Sequence, residues 1–246
     1  MTRIATSDSA TPAAGIETPQ TPQTLPTPAR AHGRRRAYRY LFGALVTLFL
    51  VACYIGVFGG NLRVVDSGKL YRSSQLTGNG YEAISARAVG NSLDTVIDKY
   101  HIKTLLNLRG GSMNDLRYRD EVNICKAHGV AHIDDGFSAR ALPSPEVMTK
   151  LLNTFDGAKY PILVHCQAGS DRTGLACTVY ANIYMKQPLD QAEGSQLTWR
   201  YGHFGFTKTR PMDQFFELYR KNGHGLTLRE WIRKEYPAIY ATGTHG

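Results

Sequence analysis

The run Tyr160-Pro-Ile-Leu-Val-His165-Cys166-Gln167-Ala168-Gly169-Ser170-Asp171-Arg172-Thr173-Gly174 decides how the chain is read. Tyr160 to His165 is short and continuously apolar up to its final residue, the pattern of a strand buried on both faces, and Arg172 to Met185 continues as a helix. Between them lies a tight turn, with Cys166 at the strand end and Arg172 six positions later. Backbone N–H groups of such a turn converge, and the following helix adds the positive end of its dipole. Together they make a cradle for a dianion such as a phosphate monoester. The same field favours the thiolate of Cys166, which is the nucleophilic form. Arg172 offers a planar fork of donors that binds two phosphate oxygens and tightens as charge develops on them. Gly169 permits the bend, and Thr173 can donate its hydroxyl to the sulfur. Gln167, Ala168, Gly169, Ser170 and Thr173 are the expected substrate-binding positions around the catalytic pair Cys166 and Arg172. A strand cysteine or a helix arginine is ordinary by itself; here the spacing and the strand-to-helix context coincide.

Outward from this segment, apolar runs alternate with helical patterns from Asn61 onward, in the manner of an α/β domain. Val64-Val65 and Lys69 to Arg72, divided by Asp66-Ser67-Gly68, predict a β-hairpin. Asp94 to Tyr100 predicts a short helix, Lys103 to Leu108 a buried strand, Leu116 to His128 a helix and Val130 to Ile133 a further strand. Ser144-Pro145-Glu146 places an N-cap before a proline at the first helical position. Leu189 to Leu197, Met212 to Arg220 and Leu226 to Tyr236 complete a mostly helical C-terminal third.

The segment His165 to Gly174 resembles the phosphate-binding signature of the protein tyrosine and dual-specificity phosphatase superfamily. Lys69-Leu70-Tyr71-Arg72-Ser73-Ser74-Gln75-Leu76 and Leu105-Leu106-Asn107-Leu108-Arg109-Gly110 are similar to the opening hairpin and following strand of small bacterial phosphatases of that kind. The similarity covers about residues 62–222. It implies a central, twisted, mostly parallel sheet flanked by helices, no metal or other cofactor, and a phosphocysteine intermediate. The implied activity is that of a cysteine-dependent phosphomonoesterase on phosphotyrosine, phosphoserine or phosphothreonine, or on a membrane phospholipid head group. The alternative is an inactive module that only binds phosphorylated ligands, although a chain retaining both Cys166 and Arg172 speaks against it.

In relatives, an Asp about thirty residues before the Cys protonates the departing oxygen. Asp134 and Asp135 lie 32 and 31 residues upstream of Cys166, just after a predicted strand. Asp135, further from the strand end, is the expected acid. Asp171 is the second candidate, because an Asp directly before Arg-Thr has been given an acid role in some inositol-lipid phosphatases. Its carboxylate would repel a phosphate unless protonated or turned outward. Tyr201-Gly202-His203-Phe204 and Arg109-Gly110-Gly111 are weaker candidates, read as a structural histidine and a surface turn.

The N-terminal part has a different character. Residues 1–39 form a Thr- and Pro-rich tail, with prolines at 12, 19, 22, 26 and 28, ending in five arginines between Arg30 and Arg39. Such a composition predicts disorder. Leu41 to Leu62 contains no charge, and about twenty helical residues cross a hydrocarbon core of roughly 30 Å. A single transmembrane helix over 40–60, with membrane contact through Leu41–Gly60, is therefore expected ahead of a phosphatase domain over 61–246. The arginines would keep the tail cytoplasmic and the domain exported, into the periplasm of a Gram-negative cell. Leu50-Val51-Ala52-Cys53 also resembles a lipoprotein processing site, a competing reading that leaves the domain on the same side.

The net charge of +9 is mild once the basic tail is set apart. It suits anionic substrates or an acidic membrane surface and singles out no nucleic acid. Cys53, Cys125, Cys166 and Cys177 show neither Cys-x-x-Cys pairs nor ligand spacing with His, so neither a zinc site nor a disulfide framework is indicated. Oligomeric state is not encoded in any of these patterns.

Overall fold

The computed structural model describes residues 29–243, with side chains for 35–51 and 59–243. Of the tail expected as disordered over 1–39, residues 1–28 lie outside the described residues, as does the side chain of Cys53, expected as an alternative processing site, whereas 29–39 are helical. By internal contacts the chain divides into Met1–Thr47 and Leu48–Gly246. The boundary falls inside the first helix, α1 (Ala29–Phe58).

Described side chains of α1 are exposed throughout, including Leu41, Phe42, Leu45, Leu48, Phe49 and Leu50. Among the described residues no helix is long and apolar enough to cross a membrane, so the structure does not support the span expected over Leu41–Gly60. Side chains of 52–58, its second half, lie outside the described set. Its expected end also moves. The helix stops at Phe58, and Gly59 and Gly60 are buried parts of the second unit. Gly60 has a positive φ, and an added Cβ would stand 2.8 Å from the Ala86 side chain.

The second unit is a five-stranded sheet with helices on both faces. Its strands are β1 (Arg63–Asp66), β2 (Leu70–Ser73), β3 (Thr104–Asn107), β4 (Ala131–Asp134) and β5 (Ile162–His165), in the order β1-β2-β5-β3-β4. β1 and β2 are the antiparallel hairpin, whereas β2, β5, β3 and β4 run parallel. Period-two alternation sorts the side chains. Leu70, Leu106, Ile162 and Val164 point into the larger core with α5 (Pro145–Gly157) and α6 (Asp171–Ile183). Tyr71, Leu105 and Leu163 point into the smaller one with α3 (Leu93–Tyr100) and α4 (Leu116–Ala127). Burial on both faces is why β5 reads as an unbroken apolar run.

The remaining helices are α2 (Tyr81–Ala88), α7 (Leu189–Gln196), α8 (Pro211–Asn222), α9 (Leu228–Lys234) and α10 (Tyr236–Ala241). The single helix expected over Leu226–Tyr236 is thus two. Pro237 lacks an N–H and sits in the first turn of α10, where that loss is harmless. Phe215, Trp231 and Tyr236, fully buried, lock α8, α9 and α10 together, with ring centroids 4.9–5.5 Å apart. Loops leaving the C-terminal ends of the four parallel strands converge on one edge of the sheet, the usual place for a site in such a fold.

Candidate active site

β5 ends at His165, and residues 166–170 turn into α6, which begins at Asp171. Each backbone carbonyl of this turn is held from outside. Cys166 O lies 2.9 Å from His165 Nδ1. Gln167 O accepts from Gln75 N at 2.9 Å and Ala168 O from Asn61 Nδ2 at 3.1 Å. Gly169 O accepts from Arg72 Nη2 at 2.7 Å and Ser170 O from Gly174 N at 2.8 Å. With its carbonyls committed outward, the turn has its N–H groups free for the centre, and those of Gly169 and Thr173 hydrogen-bond to Cys166, an arrangement compatible with an anion cradle. Gly169 is required as well as permitted. Its φ is +73°, and a Cβ would stand 2.6 Å from Ser73 O at the end of β2.

Two further residues steady the turn from below. Arg72 is completely buried; besides Gly169 O it donates to Gln196 O at 2.6 Å and lies under the Tyr201 ring at 3.9 Å. Burial lowers its pKa, while Cys177, Tyr201 and Cys166 push the other way. His165 faces the carboxylate of buried Glu121 at 3.1 Å, and Glu121 also meets His132 at 2.9 Å. Burial would raise the Glu121 pKa, but the two histidines take it down to about 2. In turn Glu121 raises that of His165 against its own burial, so a buried Glu121–His165 pair stands behind Cys166.

Cys166 is 2% exposed, at the floor of an open cleft of about 340 Å³ lined by Ser138, Ala139, Arg140, Gln167, Ala168, Asp171, Arg172 and Thr209. Burial alone would raise its pKa. The Arg172 charge, the Thr173 hydroxyl and N–H, and the Gly169 N–H outweigh burial and lower it. Arg172 is held by two carbonyls, Nη1 donating to Phe137 O at 3.0 Å and Leu108 O at 3.2 Å. Its buried Nε–H has no acceptor among the described residues, a donor suited to a phosphate oxygen.

The structure separates the two acid candidates. Asp135 is 3% exposed, lies outside the cleft lining, and has an oxygen without a hydrogen-bond partner. Desolvation raises its pKa to about 6, only partly offset by Lys150. Asp171 lines the cleft, with Oδ1 2.7 Å from His203 Nδ1. Nε2 of the same imidazole is 2.9 Å from Asp213 Oδ2. Burial would lower the His203 pKa, but these two carboxylates raise it to about 9, which keeps the ring protonated at neutral pH. The charge of Asp171 is thereby compensated, a third solution beside protonation or turning away.

His203, read from sequence as merely structural, is therefore part of the site, as are Asn61, Arg72, Gln75 and Glu121, which the sequence did not single out. Arg109 does not line the cleft; it is tied to Asp115 at 2.9 Å and reaches the turn only through Gln75, to which it donates at 2.9 Å. Cys125 is buried in the smaller core, on the opposite face of the sheet from the core that contains Cys166.

Residues 130–184 match the sequence profile of a family described as the tyrosine phosphatase family. No curated protein matches the chain. Among solved structures it is similar to the core catalytic domain of the PP-IP phosphatase SIW14 from S. cerevisiae, at 20% identity over 75% of this chain and 93% of that one, TM-score 0.48. It is also similar to P. aeruginosa TpbA, at 18% identity over 62% and 81%, TM-score 0.43. A third similar structure is a putative phosphatase from Neisseria meningitidis, at 19% identity over 61% and 94%, TM-score 0.42. The part of the chain that matches the tyrosine phosphatase family, residues 130–184, is the part that supplies β4, α5, β5, the cradle and α6.

Proposed function

We propose that the chain is a cysteine-dependent phosphomonoesterase working through a phosphocysteine intermediate. The observation that carries this reading is the thiol of Cys166, its pKa lowered, at the centre of a turn whose carbonyls are all committed outward. Cys166 Sγ attacks phosphorus as the ester P–O bond breaks, and Arg172 together with the inward N–H groups takes up the charge on the equatorial oxygens. Asp135 gives its proton to the departing oxygen. Its raised pKa favours the protonated form that this step needs, and a shift of the loop after β4 would bring it to the cleft. Water then attacks phosphorus, Asp135 takes its proton, and the S–P bond breaks to restore the thiolate and release inorganic phosphate. Asp171, bound to the His203 imidazolium, positions the loop and its arginine.

The substrate is a phosphorylated protein side chain or a phospholipid head group. The exposed apolar side chains of α1 and the uncharged run Leu41–Leu62 favour membrane attachment, with the five preceding arginines placing the domain on the exported side. If so, the full chain stays with membranes after an alkaline wash, and its domain is digested by protease added outside spheroplasts. Release by the wash would remove the attachment. For the chemistry, Cys166→Ser should abolish turnover of p-nitrophenyl phosphate while retaining binding of inorganic phosphate. Unchanged turnover would reject the mechanism, and absent turnover in the unaltered chain on every monoester would favour a binding module.

A further inference from the structure

The segment from Trp199 to Arg210 is built with two faces. Its inner face is pinned to the active site. The Tyr201 ring lies over the Arg72 guanidinium, and Tyr201 O accepts from Ser170 Oγ at 2.6 Å and from Asn61 Nδ2 at 2.9 Å. His203 is fixed between Asp171 and Asp213, and Thr209 lines the catalytic cleft. The outer face carries large rings in solvent: Trp199 is 66% exposed, Phe204 42% and Phe206 87%, the two phenylalanines touching at 5.7 Å between centroids.

Three exposed aromatic side chains within eight residues have no core to fill, and the backbone bearing them is held too firmly for the rings to fold inward. Such a cluster marks a docking surface. The charge around it selects the partner. No Asp or Glu occurs between Glu193 and Asp213, whereas Arg200, Lys208 and Arg210 are all exposed, the last also paired with Glu217 at 3.2 Å. Aromatic rings that settle at head-group level beside cations that meet anionic lipid are the composition of a membrane-interface element. A purely hydrophobic protein interface would not need exposed cations beside the rings, and the nearby carboxylates Asp213 and Glu217 are held by His203 and Arg210.

We infer that residues 199–210 dock on an anionic lipid surface and turn the mouth of the Cys166 cleft toward phosphate monoesters of phospholipid head groups. This deepens the proposed activity by selecting the lipid substrate class, and it rests on that activity. The inner contacts give the coupling: the strip that would settle at the bilayer also buttresses Ser170, Asp171 and the cleft wall at Thr209, so docking sets the distance between head group and thiolate.

The chain has two tryptophans, Trp199 exposed and Trp231 fully buried, which makes a direct test practical with the full chain. Vesicles containing phosphatidylglycerol and brominated lipid should quench Trp199 fluorescence, and Trp199→Phe, at a solvent-facing position, should lose that quenching. Equal quenching in the two proteins would overturn the docking even if the chain floats with the vesicles through α1. Phe204→Ser/Phe206→Ser should hydrolyse p-nitrophenyl phosphate unchanged yet lose on the order of tenfold on phosphatidylglycerol phosphate in vesicles. An equal loss on both substrates, or no loss on vesicles, would overturn the proposal, and a marked preference for soluble phosphopeptide would reassign the patch to a protein partner. Failure of the phosphatase reading shows separately, as absent turnover of every monoester, while the quenching still reports docking.

Discussion

Two buried groups near Cys166 have raised pKa values from different causes, desolvation for Asp135 and two carboxylates for His203, and both give readable consequences. Asp135 must be protonated to donate, and burial holds its pKa at about 6, so kcat should fall as pH rises above that value. Asp135→Asn should remove this basic limb and lower kcat by roughly 10²–10³-fold, the scale of general acid catalysis; a pH–rate profile on an activated aryl phosphate and an unactivated one would check both. A basic limb unchanged in Asp135→Asn would take the acid role away from it. His203 behaves differently because its folded pKa, about 9, lies above the ordinary histidine value of about 6.5. Its contribution to stability is full below about pH 6.5 and lost as pH rises through about 9. The stability gap between the unaltered chain and His203→Gln should therefore be largest near pH 6, on the order of 3 kcal/mol on the linkage scale, and shrink across that window. Urea unfolding at several pH values measures it, and a pH-independent gap would show that His203 is not charged between its two carboxylates.

At the scale of elements, the cradle is a product of β2 as much as of β5 and α6. Gly169→Ala puts a methyl into Ser73 O at the end of β2 and strains a positive φ. It should abolish most turnover, whereas Gly68→Ala, with a similar φ of +74° and open space around it, should cost about 1–2 kcal/mol of stability and leave turnover intact. Comparing kcat and unfolding midpoints of the two variants separates backbone strain, common to both, from the steric requirement behind the loop. This also marks how far the sequence could be read. β5, the turn and α6 were legible because an apolar run buried on both faces leads directly into Cys166 and Arg172. Helix α2 was not, since its buried residues Ala83, Ser85 and Ala86 are too small to draw an apolar stripe. Asn61, Arg72 and His203 act on the loop from 107, 97 and 32 positions away, and no local pattern encodes such pairings. The run Tyr201-Gly202-His203 stands out in the sequence, but only the fold shows that His203 reaches Asp171.

For the whole molecule, the sheet divides the work between two cores. The larger core, closed by α8, α9 and α10, backs the nucleophile directly, since Cys166, Leu175 and Cys177 belong to it. The smaller one supports the buried Glu121 on α4, and through it His165. Four parallel strands end on one edge, so Ser73, Leu108, Asp135 and Cys166 arrive together without any long loop having to reach. Such an arrangement suits the proposed reaction, whose first step is attack by a fixed thiolate. The most direct test is to acid-quench the full chain during turnover of an aryl phosphate and locate the phosphate by mass spectrometry of its peptides. A phosphate adduct is expected on Cys166 and absent from Cys166→Ser, which no longer turns over; phosphate recovered on another residue, or turnover continuing in Cys166→Ser, would contradict a cysteine nucleophile.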